Sequence, residues 1–260
     1  SSGLTRKYGV YAYVVVSDQV WRPAVNLGPR LGNMFLDFAD ENVKKLSYAA
    51  SFGCKEWEYT EEQELQCGKL AKRFDAISVR EASGVDLCKE HFGVDATLVL
   101  DPTLLLDKED YGKVCNDVPR KGKHIFVYSL VVSEGVLAVA EKVAEKMGLP
   151  IIVKQAGSKV RKEDTIEDWF AEFRDADYVV TDSFHGMVFS IIFNKPFAIV
   201  MNPSGGNDRY ISLLSQLGLM ERIVKDGTLP SDSAIDWQKI NMQLDSLRKT
   251  SLEFLKNNLE

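Results

Sequence analysis

Y-V-V-T-D-S-F-H-G-M-V-F-S-I-I-F-N-K-P-F-A-I-V-M-N-P, residues 178–203, decides the fold. Tyr178-Val179-Val180 is a short apolar run rich in β-branched side chains. Ser183 to Phe193 then carries apolar residues at helical spacing until Asn194-Lys195-Pro196 ends the pattern. With a second buried strand at Phe197 to Met201, the order is strand, turn, helix, strand, the repeating unit of a parallel α/β sheet. Thr181-Asp182-Ser183 falls where the strand stops and the helix starts. Such sheets present ligands at that edge, and the N–H groups of a helix N-terminus attract anions. A phosphate, sulfate or carboxylate is therefore expected against the backbone N–H groups of Phe184 and His185, with Ser183 and Phe184 among the binding residues. His185 sits in the first turn, where an imidazole can pass a proton to a bound anion. The plain alternative is a partly buried helix residue. Asp182 reads as a cap of the same helix.

Outward from this stretch, strands and helical segments alternate. The second half opens with strands at Ile125–Leu130 and Pro150–Lys154 around a helix at Glu134–Met147 closed by Gly148. Gln155–Asp164 is a polar loop that either covers a site or is merely long, and a helix beginning at Thr165 carries Trp169, Phe170 and Phe173 on one face. A glycine-containing loop, N-P-S-G-G-N-D-R, leads to a helix near Arg209, and an amphipathic pattern from Ser231 to Leu255 closes the chain. The first half offers strands at Val10–Val16, Val43–Ala50, Ala76–Val79 and Val94–Leu100. It also offers a helix capped by Thr60 with Gln63 as its capping-box partner, and another over Glu81–Phe92, while Gly28–Asn33 reads as loop. N-D-V-P-R-K-G-K at 116–123 is polar and basic and marks a boundary between residues 1–118 and 119–260. Both halves read β-α-β-α, which fits two Rossmann-like lobes with parallel sheets facing across a cleft. The first lobe lacks an opening strand and Gly-rich turn ahead of Tyr8, so it is expected to be incomplete in this chain.

Composition narrows the function. With 260 residues, 45% of them apolar, the chain can bury one large or two modest cores. A net charge of −6 repels polyanions and argues against nonspecific nucleic-acid binding. Cys54, Cys67, Cys88 and Cys115 form no C-x-x-C pair and read as reduced thiols of a cytoplasmic protein. No apolar run reaches the roughly 18 residues a bilayer span needs. No cluster of His and carboxylates has metal-ligand spacing, so a tightly held metal is not expected; no other cofactor is called for.

Further candidates lie at strand ends. Ser17-Asp18-Gln19 repeats the polar strand exit of 181–183, and Trp21-Arg22 follows, an aromatic and a guanidinium suited to a sugar face or planar anion, or in Trp21's case to plain packing. Arg80 ends the strand at 76–79 and competes with a reading as a surface salt bridge to Glu81 or Asp86. Lys195 and Arg209 are secondary; Lys195 doubles as a helix C-terminal cation.

T-D-S-F-H-G-M-V-F-S-I-I-F-N-K-P-F from Thr181, S-D-Q-V-W-R-P at Ser17, S-Y-A-A-S-F-G at Ser47, S-V-R-E at Ser78 and D-P-T-L-L-L at Asp101 together resemble the polysaccharide pyruvyl transferase family. The resemblance runs from about residue 13 to about residue 224. It implies a two-domain, GT-B-like architecture and transfer of a pyruvyl unit from phosphoenolpyruvate, as donor substrate, to a sugar as a ketal. It implies His185 as the acid that protonates the donor methylene and Arg80 as a donor ligand. The acceptor would be an oligosaccharide or lipid-linked saccharide, handled in the cytoplasm or at the inner face of the membrane, with a homo-oligomer left open. One departure stands out: where family members carry R-L-H or a similar basic residue two places before the histidine, this chain has Ser183-Phe184-His185. Donor binding then recruits another cation such as Arg209 or Arg22, or the donor differs. A GT-B-type glycosyltransferase using a nucleotide sugar and a non-catalytic carbohydrate-binding homologue remain the alternatives.

Overall fold

The computed structural model describes residues 5, 7–157, 165–201, 205–225, 227–230 and 234–260. Contacts divide the chain into two units. The first holds residues up to Leu105 together with Gly205–Gln216 and Met242–Glu260; the second holds Leu106–Ser204 and Leu217–Asn241. The expected boundary between residues 1–118 and 119–260 makes each lobe one continuous stretch. The later segments return to the first unit through contacts that leave no local signature.

In the first unit four parallel strands run in chain order, β1 (Ala12–Val16), β2 (Lys44–Ala50), β3 (Ala76–Val79) and β4 (Thr97–Leu98). β2 is buried along almost its whole length, as expected for a strand of a covered parallel sheet. Ser47 and Ser78 exchange hydroxyl-to-carbonyl bonds of 3.0 and 2.9 Å between β2 and β3. The pairing then slips between Ser47 and Ala50, where Ala49 takes φ 55°. This bulge turns the C-terminal end of β2 just before Arg80 leaves β3. Helix α1 (Pro29–Met34) occupies part of what the sequence suggested was loop. Pro29 presets φ at the first helical turn and Leu31 is buried, but six residues are too few to show periodicity. Below it Trp21 stacks on Phe35 at 4.8 Å with Phe52 and Phe74 edge-on.

Helix α2 (Glu61–Ala71) has the Thr60–Gln63 capping box that its sequence announces. The helix expected over 81–92 divides into α3 (Ala82–Leu87) and a π-turn at Cys88–Phe92, stopped by left-handed Gly93. β4 keeps only two of its seven expected residues, because the Val94 N–H turns back to the Cys88 carbonyl and delays the strand.

The second unit contains α4 (Lys108–Val114), β5 (Ile125–Ser129), α5 (Glu134–Met147), β6 (Ile151–Gln155), α6 (Ile166–Asp175), β7 (Tyr178–Thr181), α7 (Phe184–Ile192) and β8 (Phe197–Ile199). Its sheet is parallel in the order β6-β5-β7-β8. The order reverses between β5 and β7, a topological switch point, where sheets of this class open a crevice beyond the strand ends. Val136, Val139, Ala140 and Val143 of α5 pack against Ile125, Val127, Val180 and Ala198. Trp169, Phe173 and Phe189 form an aromatic cluster with Phe126. The polar loop at 155–164 lies outside the described residues from 158 onward, as do 202–204 of the glycine-containing loop. Beyond it come α8 (Asp208–Leu217) and α9 (Trp237–Leu259). α9 starts six residues later than the pattern from Ser231, whose first three residues fall outside the described set. The later part of α9 is tied to the first unit by Leu100 N–H to Ser251 Oγ at 3.0 Å and Arg248 to the Leu104 carbonyl at 2.6 Å.

Asp182 is not the cap of α7. Its carboxylate accepts from Ser129 Oγ at 2.9 Å, Leu130 N at 2.6 Å and Val131 N at 3.2 Å, closing the crevice between the ends of β5 and β7. Asp182→Ala is expected to lower stability by about 2–4 kcal/mol, since buried donors lose their acceptor. Urea unfolding measures this, and an unchanged midpoint would mean that the clamp contributes nothing.

Candidate functional site

β1 ends at Val16, and the next two residues take the left-handed region, Ser17 at φ 26° and Asp18 at φ 64°. That reversal turns the Ser17 hydroxyl onto Asp101 Oδ2 at 2.8 Å. Arg80, just past β3, donates from Nη1 to the same Asp101 oxygen at 2.6 Å and to Ser17 Oγ at 3.2 Å. Both charged side chains of this pair are 1% exposed. Asp101 Oδ1 accepts from Thr103 N and Oγ1, at 3.1 and 2.7 Å. The D-P-T turn thus fixes the carboxylate that fixes the arginine. Arg80 is a buried member of a network, and its charge partner is Asp101 rather than a surface neighbour.

Arg80 Nη2 reaches outward to Asp18 Oδ1 at 3.2 Å, and Arg209 Nη1 approaches the same oxygen at 3.6 Å. The two guanidiniums therefore converge on one carboxylate oxygen at the rim of the first unit's sheet. Arg209 Nε donates to the Gly206 carbonyl at 3.2 Å. Burial lowers the Arg209 pKa, and the nearby Arg80 charge lowers it further.

Glu81 is fully buried beside Arg80. Its Oε1 accepts from Phe52 N at 2.6 Å and Gly53 N at 3.2 Å. Burial pushes its carboxyl above the ordinary value of 4.5, although Arg80, Ser51 and the two N–H groups pull the other way. The other first-unit candidates are held elsewhere. Trp21 is fully buried and donates from Nε1 to the Met34 carbonyl at 3.0 Å, so it packs rather than faces a ligand. Arg22 makes a two-pronged pair with Glu58 at 2.9 and 2.8 Å and donates to Gln19 Oε1. The Glu58 contact raises the Arg22 pKa and, in return, lowers that of Glu58.

In the second unit, Ser183 is the N-cap of α7, its Oγ accepting from Gly186 N at 3.3 Å. Its own N–H donates to Thr181 Oγ1 at 3.0 Å, and Thr181 Oγ1 donates to the Tyr128 carbonyl at 2.6 Å. The helix starts so close to the strand that a Cβ on Gly186 would collide with Thr181 Oγ1. Phe184 is buried and meets the half-buried His185 ring edge-on at 5.5 Å. The N–H groups of Phe184 and His185 belong to the first turn, ahead of the helix's own ladder. Lys195 follows the other end of α7, on the order of 14 Å along the axis from its start. Burial lowers the Lys195 pKa, partly offset by Asp175 and Asp177.

The profile of the family described as polysaccharide pyruvyl transferase matches residues 5–204. The chain belongs to the polysaccharide pyruvyl transferase family. No curated protein matches it. The pyruvyl transferase match spans Asp18, Arg80 and His185 and stops short of Arg209, whose place rests on geometry alone. Two residues of the cluster, Ser17 and Asp101, escaped the sequence reading as site residues. Their only signal was position at strand exits within family-like motifs. Among the described residues no helix is long and apolar enough to cross a membrane, and no group of three or more His, Cys, Asp or Glu is placed to hold a metal.

A carboxyl whose pKa is raised by folding adds stability below its unfolded pKa and loses that contribution as pH climbs through the folded value. Wild type should therefore lose thermal stability relative to Glu81→Gln as pH rises from about 4.5. Melting curves of both proteins from acid to neutral pH test this, and a constant difference would overturn it.

Proposed function

We propose that the chain transfers a pyruvyl group from phosphoenolpyruvate to a pair of hydroxyls on a sugar of a cell-surface polysaccharide or its lipid-linked precursor, forming a ketal. The observation that carries the reading is the convergence of Arg80 and Arg209 on one carboxylate oxygen. Two guanidiniums aimed at a single oxyanion position suit a donor that carries a carboxylate and a phosphate. Family membership supplies the reaction class. Of the two cations that could stand in for the motif arginine absent at Ser183, Arg22 has its fork held by Glu58, which favours Arg209.

The chemistry asks for an acid. A proton adds to the donor's methylene carbon, making it methyl, while one sugar hydroxyl bonds to C2. The C2–O bond to phosphate breaks, and the second hydroxyl closes the ketal on the same carbon. One hydroxyl proton replaces the proton given by the acid, and the other leaves with phosphate. His185, half-buried at the head of α7, is the residue assigned to that acid. Arg80 meets the donor through its outward Nη2, with Asp101 holding Nη1 and so fixing its orientation. No cofactor enters the scheme, and the partners are the donor and a saccharide acceptor.

His185→Gln should keep its fold and donor affinity and lose about 10²–10⁴-fold in turnover. Arg80→Lys should instead weaken donor affinity, with a rate defect that high donor concentration partly restores. Phosphate release from phosphoenolpyruvate over a panel of oligosaccharide acceptors measures both, after circular dichroism confirms folding. Full activity in His185→Gln would sink the assignment. In thermal-shift assays phosphoenolpyruvate should raise the melting temperature where nucleotide sugars do not, because a ligand of the native state stabilises it. The reverse result would favour a nucleotide-sugar glycosyltransferase.

A further inference from the structure

Two carboxylates touch Arg80, and they differ in kind. Asp101 is buried, with both oxygens bonded, and is the arginine's structural counter-ion. Asp18 has a side chain 72% exposed, yet its Oδ1 lies against two guanidiniums that are 1% and 10% exposed. A side chain this open to water gains little from an ion pair, and the same Oδ1 also accepts from the Gln19 N–H at 2.8 Å, a local bond that follows the chain rather than the arginines. Its backbone nevertheless adopts φ 64° directly after Ser17 at φ 26°, two consecutive left-handed residues without a glycine. That conformation brings the carboxylate over the arginines.

We infer that Asp18 is a built-in occupant of the anion position formed by Arg80 and Arg209, and that an oxyanion group of the ligand, phosphate or carboxylate, displaces it on binding. The inference rests on the reading of this position as the donor's anion site. A displaceable internal carboxylate lowers apparent affinity in proportion to the fraction of molecules in which the position is open. It also selects. A phosphate dianion outcompetes a single carboxylate, whereas a neutral or weakly charged ligand does not. The position is thereby closed to uncharged sugars while remaining open to a charged donor. When Asp18 leaves, the like charges of Arg80 and Arg209 face each other without it, and the same like-charge proximity already contributes to lowering the Arg209 pKa. The incoming anion takes over that neutralising role.

Asp18→Asn keeps the shape, tolerates a left-handed φ and removes the charge, while Asp18→Gly empties the position at a φ that glycine adopts freely. Titration calorimetry of wild type and both variants uses inorganic phosphate, pyruvate and phosphoenolpyruvate as probes, with circular dichroism as the folding control. Both variants should bind inorganic phosphate and phosphoenolpyruvate about 3- to 30-fold tighter than wild type. The larger gain, with pyruvate or with phosphate, identifies which donor group takes the position. Unchanged or weaker binding of every probe in both folded variants overturns the inference, even where wild type binds phosphoenolpyruvate well. Tighter inorganic phosphate in both variants, with phosphoenolpyruvate no better than inorganic phosphate, upholds the displacement and overturns the donor reading instead.

Discussion

The buried pair of Arg80 and Asp101 is the contact on which the first unit's functional end depends. Removing a guanidinium and a carboxylate from water costs several kcal/mol per ion, and attraction offsets it only when the remaining polar atoms are also satisfied. For the Asp101 carboxylate Ser17 and Thr103 do that, one on each side. The exits of β1, β3 and β4 are thereby tied at one point, although the residues lie 63 and 84 positions apart in the chain. Deleting one partner would leave an uncompensated charge, a loss of about 3–5 kcal/mol in comparable buried pairs. The bulge in β2 and the left-handed turn after β1 are local distortions that this fixed point makes tolerable.

The second unit solves a different problem. A topological switch opens a gap between the ends of β5 and β7, leaving backbone N–H groups of the following loop to be satisfied. Asp182 satisfies two of them and takes the Ser129 hydroxyl as well. With Asp182 engaged there, capping falls to Ser183, and Thr181 and Gly186 allow the helix to start directly against the strand. His185 is carried on the first turn of a helix whose start is fixed by three consecutive side chains. Its placement is therefore a property of the scaffold.

Much of this was legible in the sequence because its causes are local. Strand cores such as Tyr178–Val180 and Ala76–Val79, the helix over Glu134–Met147, and the caps at Thr60 and Thr165 follow from periodicity and side-chain-to-backbone bonds within a few residues. Parallel sheets in both halves followed from their alternation. What stayed hidden is non-local. Asp182 looked like a cap because its true partners sit about fifty residues earlier. Trp21 is open to either a sugar face or plain packing by sequence, because nothing in S-D-Q-V-W-R-P reveals that Phe35 stacks against it. The six-residue helix at Pro29 and the return of the C-terminal segments to the first unit likewise depend on contacts that no window of sequence contains.

Charge balance around the two arginines of the first unit is set by burial. Arg80 stands between two acidic neighbours, Glu81 in sequence and Asp101 in space. Burial pushes the Glu81 carboxyl above its ordinary value, and its Oε1 accepts from the N–H groups of Phe52 and Gly53. Asp101 neutralises the Arg80 guanidinium and orients it, while the outer edge of Arg80 and Arg209 Nη1 both approach Asp18 Oδ1. Of the two aspartates that touch Arg80, Asp18 is the open one, its side chain 72% exposed where that of Asp101 is 1% exposed.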